Sequence, residues 1–139
     1  WDPLAWTPLL VQADVTLRFA QTEPDPARRR QWLDEAAALC EEGLRRNPRE
    51  PGFAHLQAQI LSLRGEQTAA LDAFERLVAD YPNRPYFRVR LAAQLERMNR
   101  VKEAVEQLRE ALKWMPEDEH ARRYLRILQM RLAAAEAHR

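Results

Sequence analysis

The chain is poor in the residues that crosslinked and catalytic proteins rely on. A single cysteine, Cys40, cannot close an internal disulfide, so no disulfide framework holds the fold. Glycine is confined to Gly43, Gly52 and Gly65, and no glycine-rich run exists to wrap a phosphate. Ser62 is the sole serine. Isoleucine occurs twice and threonine four times, which leaves few β-branched side chains for a sheet. No apolar run approaches the roughly 18 residues of a membrane span. A net charge of +1 over 139 residues is too balanced for a strong nucleic-acid field.

Helix formers are plentiful: Ala, Leu, Glu, Gln and Arg dominate. With 46% hydrophobic and 31% charged residues, the chain can bury a core and reads as soluble, folded and all-α. Basic charge is carried by 20 Arg against 2 Lys. The chain begins at Trp1 rather than Met, as expected of a processed form or a piece of something longer.

The prolines set a period. Pro82 has one proline 34 residues before it, Pro48, and another 34 after it, Pro116; Pro85 answers Pro51 at the same distance. Laying residues 51–82 over 85–116 matches Phe53 with Phe87, Ala58 with Ala92, Leu61 with Leu95 and Gly65 with Asn99. It also matches Ala70 with Ala104, Phe74 with Leu108 and Val78 with Leu112. Each half of the unit has apolar residues at helical spacing, such as Phe53, Leu56 and Ile60, then Ala70, Leu71, Phe74 and Leu77. Gly65 and Asn99 fall between the halves and tolerate the left-handed conformation that ends a helix. Pro51 and Pro85 suit the first turn of a helix, where a missing N–H is no loss. The unit is a helix–turn–helix with small alanines where its two helices approach.

This unit resembles the tetratricopeptide repeat (TPR), a 34-residue helical hairpin. The resemblance rests on a small residue at the eighth place, alanine at the twentieth, a bulky apolar residue at the twenty-fourth and proline at the thirty-second. These are Ala58, Ala70, Phe74 and Pro82 in residues 51–84, and Ala92, Ala104, Leu108 and Pro116 in residues 85–118. The tryptophan usual at the fourth place is replaced by Ala54 and Arg88. Upstream, Ala36, Cys40 and Pro48 fit the same frame, but TEPDP interrupts it. Residues 8–48 therefore read as a degenerate first repeat, with a helix at about 8–21 and a long second helix at about 26–46. Residues 118–136 read as a closing helix. The expected fold is a single all-α domain over 1–139, a right-handed superhelical array of about three antiparallel hairpins plus a C-terminal cap. Trp6 is expected to cap the first hairpin.

Catalytic chemistry is not legible. Cys40 takes the slot of a bulky core residue, and Ser62 lies within an ordinary repeat helix. His55, His120 and His138 show no metal-ligand spacing, so neither metal nor cofactor is expected and the chain is not expected to be an enzyme. Many acids precede an arginine by four residues, Glu42–Arg46, Glu96–Arg100 and Asp118–Arg122 among them, and these predict exposed ion pairs along helices. Arg84, Arg88, Arg90 and Arg97 share a helix with Glu96 alone, and Ala27–Arg30 adds a basic cluster in a first turn, where positive charge is unfavourable.

The resemblance implies a role in binding protein. In such arrays the first helix of each hairpin lines a concave face. That assigns His55, Gln59 and Ser62 to the face in one repeat, and Tyr86, Val89, Ala93, Glu96 and Arg97, with Arg90 beside them, in the next. The closing helix offers His120, Arg123, Ile127 and Met130. The partner-binding set is His55, Gln59, Tyr86, Arg90, Arg97, Arg123 and Ile127, for a peptide or partner helix. One TPR subclass grips a C-terminal carboxylate with Lys and Asn at places held here by His55 and Gln59, then Val89 and Ala93, so that mode is disfavoured. RNA reading is disfavoured too, because the aligned column Gly52, Tyr86 and His120 does not repeat one side chain. The alternative is an assembly segment of a larger protein, of bacterial envelope or polymer-export type, that self-associates through its terminal helices. Ile127, Met130 and Ala134 would supply a second apolar line for that contact.

Overall fold

The computed structural model describes residues 7–139; the capping expected of Trp6 falls outside them. Among the described residues there are seven helices and no strand: α1 (Thr7–Thr22), α2 (Pro26–Arg46), α3 (Pro51–Leu63), α4 (Gln67–Asp80), α5 (Pro85–Arg97), α6 (Val101–Trp114) and α7 (Glu119–Ala137). α1, α2 and α7 start and stop within one residue of the bounds 8–21, 26–46 and 118–136 read from the sequence. Two compact units are distinguished, one reaching to Ala73 and the other Phe74–Arg139, with the boundary inside α4.

Helix ends follow from local chemistry. Pro26, Pro51 and Pro85 each open a helix. Asp25 caps α2 by accepting from the Arg28 N–H, and Asp118 caps α7 by accepting from the Ala121 N–H at 2.8 Å. Gly65 (φ 84°) and Asn99 (φ 61°) are the left-handed residues that close α3 and α5. Both closures are the same motif: the Glu66 N–H reaches back to the Leu61 carbonyl at 3.0 Å, and the Arg100 N–H to that of Leu95 at 2.9 Å. Residues 34 apart thus turn the chain in the same way.

In the first unit α1 packs on α2, and both meet α3. Ala13, Leu17 and Ala20 of α1, Leu33, Ala36 and Cys40 of α2, and Phe53, Leu56 and Ile60 of α3 form one core. TEPDP, which breaks the repeat frame, is a tight α1–α2 connection held by Arg29, whose guanidinium donates twice to the Glu23 carbonyl (3.0 and 2.8 Å). One arginine of the basic cluster therefore satisfies a carbonyl at the end of α1. In the second unit α6 packs between α5 and α7. Phe87, Leu91, Ala92 and Leu95 of α5 are buried, as are Ala104, Val105, Leu108 and Ala111 of α6 and Ala121 and Leu128 of α7. The Tyr81 ring meets Phe87 edge-on at 6.0 Å, and the Arg84 guanidinium lies 5.5 Å above Tyr81, which ties the proline turn to the start of α5.

The repeat frame is visible as columns of burial. Ala36, Ala70 and Ala104 are all fully buried, as are Ala58 and Ala92. Cys40, Phe74 and Leu108 fill the bulky column. Gly43, Leu77 and Ala111 form another, and there the spacing is extreme: a Cβ on Gly43 would overlap the ring of Phe53. Gly43→Ala should lower stability by about 1–3 kcal/mol in urea unfolding, and Phe53→Leu in that background should recover part of the loss by vacating the space.

Candidate functional site

The residues expected to bind a partner fall on three helices. On α3, His55 and Gln59 are half-buried one turn apart, and the Gln59 side-chain amide lies 2.9 Å from His55 Nε2, within hydrogen-bond reach. The Ser62 hydroxyl is buried and donates to Gln67 Oε1 at 3.5 Å across the turn into α4, so it serves the hairpin. On α5, Tyr86 is 54% exposed in the first turn, with its ring centroid 6.4 Å from that of Phe87. Arg90 is half-buried one turn further on, Arg97 is exposed, and on α7 so are Arg123 and Ile127. Val89 does not join this surface. It is buried, at the edge of the packed arc of α5 beside Ala92 and on the far side from Phe87 and Leu91.

α5 and α7 are joined by a polar cluster on Glu96. One carboxylate oxygen accepts from the Tyr124 hydroxyl at 2.7 Å, and the other from the Arg131 guanidinium at 2.7 Å. Burial and the nearby carboxylate push the Tyr124 phenol above its ordinary range, while the positive charges of Arg131 and Arg90 oppose that shift. Arg90 therefore borders the cluster, with its Nε buried and without a hydrogen-bond partner among the described residues. Residue spacing offers no sign that the Tyr124 hydroxyl meets a residue 28 positions earlier. The only available signal was that Glu96 stood alone among the α5 arginines.

The arginines are settled differently from the expected i, i+4 pairs. Glu42 does pair with Arg46 at 2.7 Å, and with Arg45 as well. Arg100 lies beyond the left-handed Asn99, so it has left the helix of Glu96 and pairs with Glu103 at 2.6 Å. Asp118 is spent on the α7 cap, and Arg122 lies 3.7 Å from Glu117. Arg88 donates to Gln107 Oε1 at 3.1 Å, bridging α5 to α6.

The arrangement holds little reactive chemistry. Cys40 is fully buried, and desolvation pushes its thiol up to about 12, so it stays protonated and a poor nucleophile. Among the described residues no group of three or more His, Cys, Asp or Glu is placed to hold a metal ion, and no helix is long and apolar enough to cross a membrane.

The Glu96 cluster gives a test of the α5–α7 contact. A tyrosine whose folded pKa is raised contributes stability that is present below its unfolded value of 10.0 and is lost as pH rises beyond it. Wild type should therefore lose more stability than Tyr124→Phe between about pH 9 and about pH 11. At neutral pH the variant should be weaker by about 1 kcal/mol. Thermal melts of both proteins across this range measure the difference.

No family model and no curated protein sequence matches the chain. Solved structures do match it. A thermophilic TPR protein of Thermus thermophilus, TTC0263, is 23% identical and superposes with a TM-score of 0.85 over 92% of this chain. This chain spans 66% of that one, just under two thirds of its length. The first TPR domain of human RPAP3 is 18% identical with a TM-score of 0.73, over 98% of each chain. The first TPR of Spaghetti (RPAP3), solved bound to the HSP90 peptide SRMEEVD, is 17% identical with a TM-score of 0.70, over 95% of this chain and 96% of that one. These likenesses agree with the 34-residue columns of burial and with the paired turns at Gly65 and Asn99: the chain has the all-α fold of tetratricopeptide-repeat proteins.

Proposed function

We propose that the chain is a non-enzymatic protein-interaction scaffold that holds a peptide or partner helix on the exposed faces of its hairpin-opening and closing helices. The observation that carries this reading is an unburied set of large side chains on α5 and α7. Tyr86 and Ile127 are each 54% exposed and Met130 is 72% exposed, in helices that also carry Arg90, Arg97 and Arg123. Aromatic and arginine side chains are the residues on which interfaces most often depend. Here they project from helices fixed to one another through Glu96, so little ordering is needed on binding. His55 and Gln59 of α3 belong to the first unit and are proposed as partner contacts of that unit by itself.

The structure of a similar TPR with an HSP90 peptide supports a peptide as ligand in kind. The acidic-tail mode is disfavoured, because His55, Gln59, Val89 and Ala93 stand where Lys and Asn would grip a terminal carboxylate, and Val89 is buried. The proposed ligand is therefore an amphipathic segment whose apolar side meets Tyr86 and Ile127 and whose acidic side chains meet arginine.

A peptide array probed with the chain, followed by titration calorimetry of the best binders, tests this reading. Tyr86→Ala with Arg90→Gln should weaken those binders at least tenfold while helical circular dichroism is retained, since each such loss is worth about 1–2 kcal/mol or more. Unchanged affinity would remove α5 from the site. SRMEEVD should bind more weakly than the selected peptides, and tight binding of it would show the acidic-tail mode to operate after all.

A further inference from the structure

The first unit carries an apolar surface that the ligand reading leaves unused. Val11, Val15 and Phe19 recur every four residues along α1, and they are 60%, 43% and 52% exposed. They line a groove of about 860 Å³ whose far wall is Trp32 of α2. The Trp32 ring lies 5.3 Å from that of Phe19, tilted by 32°. In the wall, the Thr16 hydroxyl is satisfied within α1, donating to the Gln12 carbonyl at 2.7 Å. α1 has two charged residues, Asp14 and Arg18, and they pair with each other at 3.0 Å. An occupant of this groove must be apolar and bring little unpaired charge.

We infer that the occupant is α1 of a second copy, laid antiparallel across a two-fold axis near Val15. That arrangement sets Val11 of each copy against Phe19 of the other and places Asp14 of each within reach of Arg18 of the other, so the charges of the strip are complementary to themselves. The exposed apolar line of α7 fits less well. Ile127 and Met130 are flanked by Arg123 and Arg126, and the groove offers them Glu35 alone, so the contact would strip water from arginine without a full set of partners. The strip is small beside the ~800 Å² per partner of a standard interface, so the dimer is weak and concentration-dependent. This contact uses no residue of the proposed ligand surface.

Sedimentation velocity from micromolar to millimolar chain tests the inference. Wild type should shift from monomer to dimer and go no further, because a two-fold contact closes on itself. Phe19→Asp should weaken dimerisation by at least about tenfold, with its helical circular dichroism and peptide affinity retained. Val15→Cys, near the axis, should give a disulfide-linked dimer on mild oxidation, whereas wild type, whose only thiol is the buried Cys40, should not. Met130→Cys should not crosslink either. A monomer at every concentration, a dimer that survives Phe19→Asp, or crosslinking of Met130→Cys as efficient as that of Val15→Cys would each overturn the inference, the last by moving the contact to α7.

Discussion

Close approach of helices over alanine is the constraint on which this structure depends. Ala36, Ala58, Ala70, Ala92, Ala104, Ala111 and Ala121 are all fully buried, and Gly43 takes the ring of Phe53 where even a methyl group would not fit. Helix axes approach only as near as the side chains between them allow. Within each unit, small residues at fixed intervals therefore set how closely neighbouring helices approach, and bulky residues such as Phe53, Phe74, Leu108 and Leu128 fill the remaining space. Cys40 belongs to this packing, which is why its thiol is unreactive.

That packing also decides which side chains are left for binding. A helix committed on one side to alanine columns presents its other side to water, with rotations fixed by the core and by the Gly65 and Asn99 turns. On α5 the committed side holds Phe87, Leu91, Ala92 and Leu95, and Tyr86 is left outside it. Tyr124 is pinned by its hydroxyl and Arg131 by its guanidinium, so the exposed faces of α5 and α7 sit on a supported frame. The proposed interaction role follows from this division between packed and open faces.

The fold was legible in the sequence because its determinants are local and repeated. Pro51, Pro85, Gly65 and Asn99 act through their own backbone preferences, and those preferences are realised in the structure. The candidate surface was legible only in part. Tyr86, Arg97, Arg123 and Ile127 are exposed as the frame implies, but Val89 is buried and Ser62 turns to Gln67. Gln94 shows why polarity misleads here: it is buried in the column that Ile60 and Leu128 fill, since the 34-residue frame and not side-chain chemistry decides which positions face inward. The Glu96 cluster and the Arg29 tie to Glu23 join residues through space, and no spacing rule anticipates them. The apolar strip of α1 was not legible because Val11, Val15 and Phe19 follow the ordinary period of a core face, and only the structure shows that face to be open.

The alanine columns are tested most directly by enlarging one member and a control outside the columns. Urea unfolding of Ala104→Leu, at a fully buried column position, and of Ala134→Leu, on the exposed side of α7, makes that comparison. Overpacking should cost Ala104→Leu about 1–3 kcal/mol, while Ala134→Leu stays within about 0.5 kcal/mol of wild type. Equal stability of Ala104→Leu and wild type would contradict the account, because helix spacing would then not depend on the size of the residue at the crossing.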